Sequence, residues 1–432
     1  MSPTPNRTEA RSYLLLILIG AAIGVPAALV ASLFLATVHK LEEWLWTDLP
    51  DRLGEDSAPW YLIVGLPVGG AVIVWVARRF LPGDGGHPPL EGIGGGVTPL
   101  SYAPGIALAA LGTLPFGLVL GPEAPLIALG SAVGALVTPF VRLPDRGMTV
   151  IATAGSFSAV SALFGGPLVA GFLLLEAGLA MGPQLIPALM PGLVAAAVGY
   201  LLFVGLGDWG GLNQAGLAVP NLPDYNGTRL GDLAMAVVAG VVIAVVLNRV
   251  RYLAIQVQAV TDRHRMLPML LLGGFAVGAI ALVATWVDTS DDEILFSGQS
   301  AVPEVVAEGS VGVLLVILVA KSLGYAISLG SGFRGGPIFP AIFIGITITS
   351  FAVVVVDASP TWAIAVGTAA GMDAGTEMVF SALLFSMLLV GQPGVDALPA
   401  AVLAVAAVWL TKLVIAPKDA EPTPEAAEPQ PG

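Results

Sequence analysis

The sequence has no cysteine and few charged residues. The absence of cysteine excludes disulfides, thiolate metal sites and thiol catalysis. Charged residues make up only 11% of the 432 residues, whereas a soluble domain carries about 25%. Apolar residues make up 56%, and their runs are too long for the strands of a membrane β-barrel. The composition therefore predicts an all-α integral membrane protein.

Further absences narrow the function. The histidines His39, His87 and His264 lie far apart in the sequence, so neither a metal site nor a cofactor is expected. No Gly-Lys dipeptide occurs, which excludes a Walker A loop and ATP-driven pumping through one. A net charge of −13 argues against nucleic acid as a partner.

Apolar segments that predict helices follow one another along most of the chain. They cover residues 13–38, 60–80, 103–121, 123–141, 148–163, 166–182, 184–206, 231–257, 268–287, 310–329, 338–356, 361–372, 376–391 and 397–415. Several are shorter than the roughly 20 residues that cross a bilayer, and many contain Gly or Pro. Interrupted helices in a bilayer lie inside protein or line a cavity. This pattern is typical of a transporter or channel.

Loop charges predict how the helices are oriented. Loops 40–57, 208–232 and 288–293 are mainly acidic, whereas Arg78 and Arg79 end one helix and loop 249–265 is rich in arginine. By the positive-inside rule the N-terminus is cytoplasmic, and the hairpins 13–80 and 231–287 have opposite orientations. The alternative is chance placement of charges in a simple helical bundle.

Opposite hairpins, each followed by broken helices, predict an inverted repeat of tilted, broken helices. The predicted organisation comprises a cytoplasmic tail, a first membrane repeat, a connecting loop, a second inverted repeat and a disordered acidic tail. These five segments cover residues 1–12, 13–206, 207–230, 231–416 and 417–432.

Glu123 is the first candidate functional residue. It is the only charged residue within 92–141, and an ionisable group deep in a bilayer is costly and therefore a candidate for function. Gly121 breaks the preceding helix, and Pro122 suits the first turn of the next helix. Glu123 is thus expected at a helix N-terminus, where free N–H groups favour negative charge. Its carboxylate can occupy that place or leave it for a dissolved anion; the alternative is a simple capping role.

The second half contains a matching glycine-rich bend at residues 328–340. It precedes an apolar helix and offers a second N-terminus for the same anion, although a plain turn is the alternative. Lys321 and Arg334 flank this bend. They either raise the local potential for anions or pair with a buried acid such as Glu377.

These residues resemble the CLC family of chloride channels and chloride/proton exchangers. Residues 121–125 are similar to its Gly-Arg/Lys-Glu-Gly-Pro motif, and residues 331–340 to its Ser-Gly-x-x-Gly-Gly-x-Phe-x-Pro motif. Residues 164–168, leading to Glu176, are similar to its Phe-Asn-Ala-Pro-Leu…Glu-Glu segment. The order and spacing of the motifs hold over about residues 15–415.

The resemblance implies a homodimer in the plasma (inner) membrane that transports chloride, with fluoride as an alternative, and that is gated by Glu123. The implied anion-binding residues come from the two bends and an inner loop. They are Gly85, Gly86, Gly121, Pro122, Ala124, Gly335, Gly336, Ile338 and Phe339. Glu176 is a candidate for a proton pathway.

The sequence also departs from the family pattern. The family's Gly-Ser-Gly-Ile-Pro serine falls on Gly85 or Asp84, and Pro337 has no backbone N–H. The second glutamate of the pair, the inner proton acceptor of the exchangers, aligns with Ala177, so weak or absent proton coupling is expected. No tyrosine follows Tyr325, although the family carries a pore tyrosine in its last helix.

Some alternatives stay open at the level of sequence. Asp84 and His87 either gate the entry from the inside or are simply solvated. A secondary transporter of another solute would share the inverted repeat but would need polar or aromatic side chains at the membrane midplane. An intramembrane enzyme would need paired catalytic groups; Asp373 and Glu377, one helical turn apart, are the only close acid pair in a predicted span. Transport rather than catalysis is therefore expected.

Overall fold

The computed structural model describes residues 7–137, 145–177, 185–210, 218–287 and 289–415. The described part of the first half contains eight α-helices. They are α1 (Arg7–Glu43), α2 (Leu49–Leu53), α3 (Trp60–Phe80), α4 (Ala103–Thr113), α5 (Glu123–Leu136), α6 (Asp145–Phe164), α7 (Pro167–Ala177) and α8 (Leu185–Gly210). A π-helical turn, Trp44–Asp48, joins α1 to α2.

The described part of the second half contains nine α-helices. They are α9 (Leu230–Thr261), α10 (Met266–Ala284), α11 (Asp291–Ile294), α12 (Val302–Ala307), α13 (Val311–Gly330), α14 (Ile338–Val356), α15 (Pro360–Thr376), α16 (Val379–Val390) and α17 (Leu398–Ile415). Among the described residues, extended pairing is limited to one isolated β-bridge. The prediction of an all-α membrane fold is confirmed.

The structure combines long and short helices, as the sequence predicts. Eight helical segments of the described chain are long and apolar enough to cross a membrane, and five further apolar helices of 10–17 residues are shorter. The short ones include α4, α5, α7 and α16. Because a broken helix leaves N–H and C=O groups without intrahelical partners, these ends must be satisfied within the protein.

Several helix boundaries differ from the sequence prediction, most of all at the start of α1 and the end of α4. Helix α1 begins at Arg7, inside the segment 1–12 that was predicted as a tail. Helix α4 ends at Thr113 instead of continuing to residue 121, because Pro115 has no backbone N–H to continue the helical hydrogen bonds and Gly117 adopts a φ of 85°. The predicted tail 417–432, loop residues 211–217 and Asp288 lie outside the described residues.

The two halves repeat the same packing. In the first half α5 packs on α6 and α1 on α8; in the second half α14 packs on α15 and α9 on α17. The halves meet where α3 packs on α10. This correspondence supports an internal repeat, while its inversion and the boundaries 13–206 and 231–416 stay predictions.

Glycines allow the central helices to approach closely. A Cβ on Gly130 of α5 would overlap the carbonyl oxygen of Gly155 of α6, and a Cβ on Gly345 of α14 would overlap that of Gly367 of α15. Gly130 and Gly345 each lie seven residues after the first residue of their helix. In a bilayer, where the hydrophobic effect does not drive helices together, such small residues permit the close van der Waals packing that holds a bundle.

Large apolar side chains cover the outside of the bundle. Leu33 is 70% exposed, Val238 63% and Trp409 54%. These exposures would be unfavourable in water but suit contact with lipid chains. The interior is rich in alanine and also contains large buried side chains such as Trp362 and Phe157.

Candidate functional site

The two glycine-rich bends of the sequence meet in the middle of the molecule. The amide of Gly121 donates a hydrogen bond to the carbonyl oxygen of Gly336 over 2.8 Å. In return, the amide of Gly336 donates to the carbonyl oxygen of Gly121 over 2.5 Å. A proline follows each glycine, and the next residue begins a helix: Glu123 begins α5 and Ile338 begins α14. The antiparallel bridge therefore places two helix N-termini side by side.

Glu123 lies between these two N-termini. Its side chain is fully buried, and Oε1 accepts a hydrogen bond from the amide of Phe339 over 2.9 Å. No described residue donates a hydrogen bond to Oε2. A carboxylate of the first half thus binds an unpaired N–H of the second half, as expected where a helix N-terminus offers free donors.

Three of the predicted glycines are required by space at this point. A Cβ on Gly121 or on Gly336 would overlap the carboxylate of Glu123. A Cβ on Gly335 would lie 2.7 Å from Cβ of Leu120. Because Gly121 and Gly336 have no side chain, the backbone can approach the carboxyl group of Glu123 this closely.

An apolar wall surrounds the carboxylate. Ala124 and Ile338 are buried beside it, and the ring of Phe339 packs against Phe164 and Phe385, with ring centroids 5.8 Å away in both cases. A cavity of about 20 Å³ adjoins Phe339 and is lined also by Val219, Gly298, Gln299, Val302, Ile342, Phe343 and Leu389. A space of this size holds about one water molecule. The wall strengthens electrostatic interactions within it because it excludes most water.

Helix α13 anchors both bends through polar side chains on one face. The hydroxyl of Tyr325 donates to the carbonyl oxygen of Pro337 over 2.8 Å, and the amide of Val119 donates to Oγ of Ser328 over 3.1 Å. Sequence reasoning did not assign these roles. The available signal was the spacing of Lys321, Tyr325 and Ser328, which places three polar residues of an apolar helix on the same face.

Lys321 and Arg334 have different partners from the one anticipated. Lys321 is fully buried and donates through Nζ to the carbonyl oxygen of Leu295 over 2.5 Å. Arg334 pairs with Asp84 over 2.5 Å. Glu377, suggested as a partner from the sequence, lies 3.6 Å from Nζ of Lys412.

The loop that contains Gly85 and Gly86 lies next to the second bend. Both glycines have positive φ, at 71° and 102°, which side chains rarely adopt. A Cβ on Gly85 would lie 3.3 Å from Cγ of Arg334, and one on Gly86 would lie 3.2 Å from Cγ1 of Ile106. The structure therefore brings Gly85 to the arginine of the second bend.

Glu176 lies at the N-terminus of α16. Its Oε1 accepts from the amide of Phe380 over 2.8 Å, and Oε2 accepts from the amide of Ser381 over 2.7 Å and from its hydroxyl over 2.5 Å. Ala177 is exposed. Glu176 therefore caps a short helix from outside that helix and supplies acceptors for its otherwise free N–H groups.

The protein is thus an all-helical membrane protein in which an acidic side chain lies between two facing helix N-termini. A model of the family described as "Voltage gated chloride channel" matches residues 69–412. The chain therefore belongs to this family, the CLC family of membrane anion-transport proteins.

Relatives of the chain agree with this assignment. It is 31% identical over 360 residues to proteins of Escherichia coli and Escherichia fergusonii that carry the name ion-transport protein YfeO, with 79% of each chain covered.

Solved structures show the same fold. The chain matches a slow cyanobacterial Cl⁻/H⁺ antiporter with a TM-score of 0.73 and 19% identity, over 93% of this chain and 98% of that one. It matches a CLC-type fluoride/proton antiporter with a TM-score of 0.72 and 19% identity, over 94% and 96%.

Proposed function

We propose that this protein transports chloride, or a related small inorganic anion such as fluoride, and that Glu123 gates its path. The proposal depends on one observation: the carboxylate of Glu123 is buried between two helix N-termini and accepts the amide of Phe339 over 2.9 Å. A negatively charged group at this position marks a place that favours an anion. The gate and the anion would compete for the same donors.

In this mechanism Glu123 occupies the anion position while it is deprotonated. When the side chain is protonated or swings away, the amide of Phe339 becomes available to a dissolved anion. Gly121 and Gly336 leave room for the anion because they present no side chain. The anion would exchange its water shell for backbone N–H groups and the positive ends of α5 and α14.

The surroundings of the site favour an inorganic anion over a larger solute. Glu123 is enclosed by glycines, small residues and the rings of Phe339, Phe164 and Phe385. An organic solute would need more polar partners to fix its orientation. We extend the proposal to a homodimer in the inner membrane with a cytoplasmic N-terminus, as the family resemblance and the loop charges imply.

Proton coupling is a separate question. The two solved structures described above are a Cl⁻/H⁺ antiporter and a fluoride/proton antiporter. In this chain Ala177 stands where the exchangers have their inner acid, and Glu176 is held by three hydrogen bonds at α16. We therefore propose passive or weakly coupled anion flow, in which Glu123 responds to external protons.

Anion efflux from liposomes tests the gate. Glu123→Gln keeps the shape of the side chain and removes its charge, so we expect a severalfold change in chloride flux and loss of its pH dependence. Glu304→Gln, at an exposed acid, is the control and should behave as wild type. If Glu123→Gln retains the wild-type flux and pH response, Glu123 is not the gate.

A second measurement tests coupling. A chloride gradient is imposed on the proteoliposomes, and proton movement is recorded with a pH-sensitive dye. We expect no uphill proton movement. Uphill movement at a fixed stoichiometry would contradict passive flow, and its loss in Glu176→Gln would assign the inner proton role to Glu176.

A further inference from the structure

Two arginines distant in sequence bind one aspartate beside the second bend. Nε and Nη2 of Arg78 donate to Oδ1 and Oδ2 of Asp84, both over 2.9 Å. Arg334 donates to the same aspartate from Nη2 to Oδ2 over 2.5 Å and from Nε to its carbonyl oxygen over 3.0 Å. The three side chains carry a net charge of about +1, because arginine stays protonated in proteins.

The cluster lies close to the buried Glu123. Arg334 is two residues from Gly336, so their α-carbons are at most about 7 Å apart. Gly336 in turn is bridged to Gly121, beside the Glu123 carboxylate. An anion bound to the arginines would therefore lie close to the N-termini of α5 and α14.

The arginines are held more firmly than the aspartate. The side chain of Arg334 is 6% exposed and that of Arg78 15%, whereas that of Asp84 is 57% exposed. Arg78 also donates through Nη1 to the carbonyl oxygen of Gly332 over 2.7 Å. These contacts would keep the guanidinium groups in place if Asp84 turned away.

The backbone around Asp84 is suited to such a movement. Asp84 has a φ of 48°, and Gly83, Gly85 and Gly86 around it also have positive φ. Left-handed backbone is unfavourable for a residue with a side chain, and glycines on both sides allow wide conformational change.

Asp84 is charged at neutral pH. Burial raises the pKa of its carboxyl, but the hydrogen bonds and positive charges of Arg78 and Arg334 outweigh burial and hold the pKa below its ordinary value. The group that fills the space between the guanidinium groups is thus an anion.

We propose that Arg78 and Arg334 form a second binding site for a small inorganic anion, and that Asp84 occupies it as a tethered competitor. The inference rests on the proposed anion transport and adds a site to it. Guanidinium groups bind anions through several charge-assisted hydrogen bonds. A dissolved anion that takes the donors of Asp84 would reach the site from the loop end of α3.

Bromide binding to the purified protein tests the site. In Asp84→Asn the competing charge is gone, so bromide affinity measured by titration calorimetry should rise about tenfold, since the open state no longer has to be populated first. Adding Arg334→Gln to Asp84→Asn should abolish this gain. Asp357→Asn is a matched control, because Asp357 is also exposed with positive φ and has no ion pair among the described residues; its affinity should not change.

A second variant guards against loss of folding. Asp84→Gly also removes the carboxylate, and glycine adopts a φ of 48° without strain. An unchanged bromide affinity in both folded variants would overturn the proposal. Failure of both variants to fold would also overturn it, since Asp84 would then be a structural partner of the arginines.

The binding measurement separates this inference from the proposed function. If the wild-type protein conducts anions under control of Glu123 while Asp84→Asn binds bromide as wild type does, only the second site is wrong. If the wild-type protein carries no anion in liposomes, the proposed function fails.

Discussion

Residues 121–125 of the first bend and 336–340 of the second share a sequence pattern but differ in the side chains between the prolines. Each has the pattern Gly-Pro-x-x-Pro, each begins a helix after its first proline, and the two glycines bridge each other. The first bend carries Glu123 where the second carries Ile338. The difference shows that one helix N-terminus supplies a carboxyl group while the other supplies the N–H that donates a hydrogen bond to it.

The second position of each helix also differs. Ala124 is small, whereas Phe339 donates its amide to Glu123 and packs its ring against Phe164 and Phe385. The second bend therefore supplies both the hydrogen bond and part of the water-excluding wall. The two bends therefore have similar backbone arrangements but contribute different groups to the site.

The largest effect is expected from a side chain at Gly336. Gly336→Leu places carbon atoms where the Glu123 carboxylate lies, so chloride flux in liposomes should be abolished. Gly309→Leu is the control, because no atom lies within 4 Å of the Cβ position of Gly309. Wild-type flux in a folded Gly336→Leu protein would place the path elsewhere.

A second carboxylate at the symmetric position should also be damaging. Ile338→Glu buries a like charge next to Glu123, and unpaired buried charges are strongly unfavourable. We expect a lower Tm in detergent and a flux reduced about tenfold or more, because like charges compete for the same few donors. Ile338→Leu, which conserves volume, should be close to wild type. Normal flux and stability in Ile338→Glu would show that the two positions are not equivalent.

Glu176 is expected to matter more for stability than for flux. Its carboxylate accepts three hydrogen bonds at the start of α16, and hydrogen bonds to a charged group contribute about 1.5–3 kcal/mol each. Glu176→Gln should lower Tm measurably while the flux retains its pH response. Glu91→Gln, at an exposed acid, should leave Tm unchanged. A large loss of flux without a change in Tm would contradict the capping role.

The smallest effect is expected at the anchor of the second bend. Tyr325→Phe leaves the buried carbonyl oxygen of Pro337 without its donor, which should cost about 1–3 kcal/mol of stability and lower Tm by a few degrees. Tyr252→Phe removes a hydroxyl from a side chain that is 55% exposed and should leave Tm as it is. Equal Tm values for the two variants would mean that α13 does not hold the bend.

Much of the helix pattern could be predicted from apolar runs and from the proline, glycine and charged residues that interrupt them. The segments 60–80 and 338–356 are helical over the same residues in the structure, because proline or charge marks their ends. The prediction for 103–121 was too long, since Pro115 and Gly117 lie within an otherwise apolar run. Apolar composition alone does not distinguish a helix from a buried irregular segment.

The sequence identified some residues of the candidate site but not the contacts between them. The sequence by itself determined Glu123 and the two glycine-rich bends, because a lone charge in an apolar run and a Gly-Pro break are local signals. Only the tertiary structure decided that Glu123 faces the amide of Phe339, which is 216 positions away in the sequence. The same holds for the contact of Asp84 with Arg334, which is 250 positions away. Such pairings depend on how the halves dock, and a periodic pattern within either half carries no record of that contact.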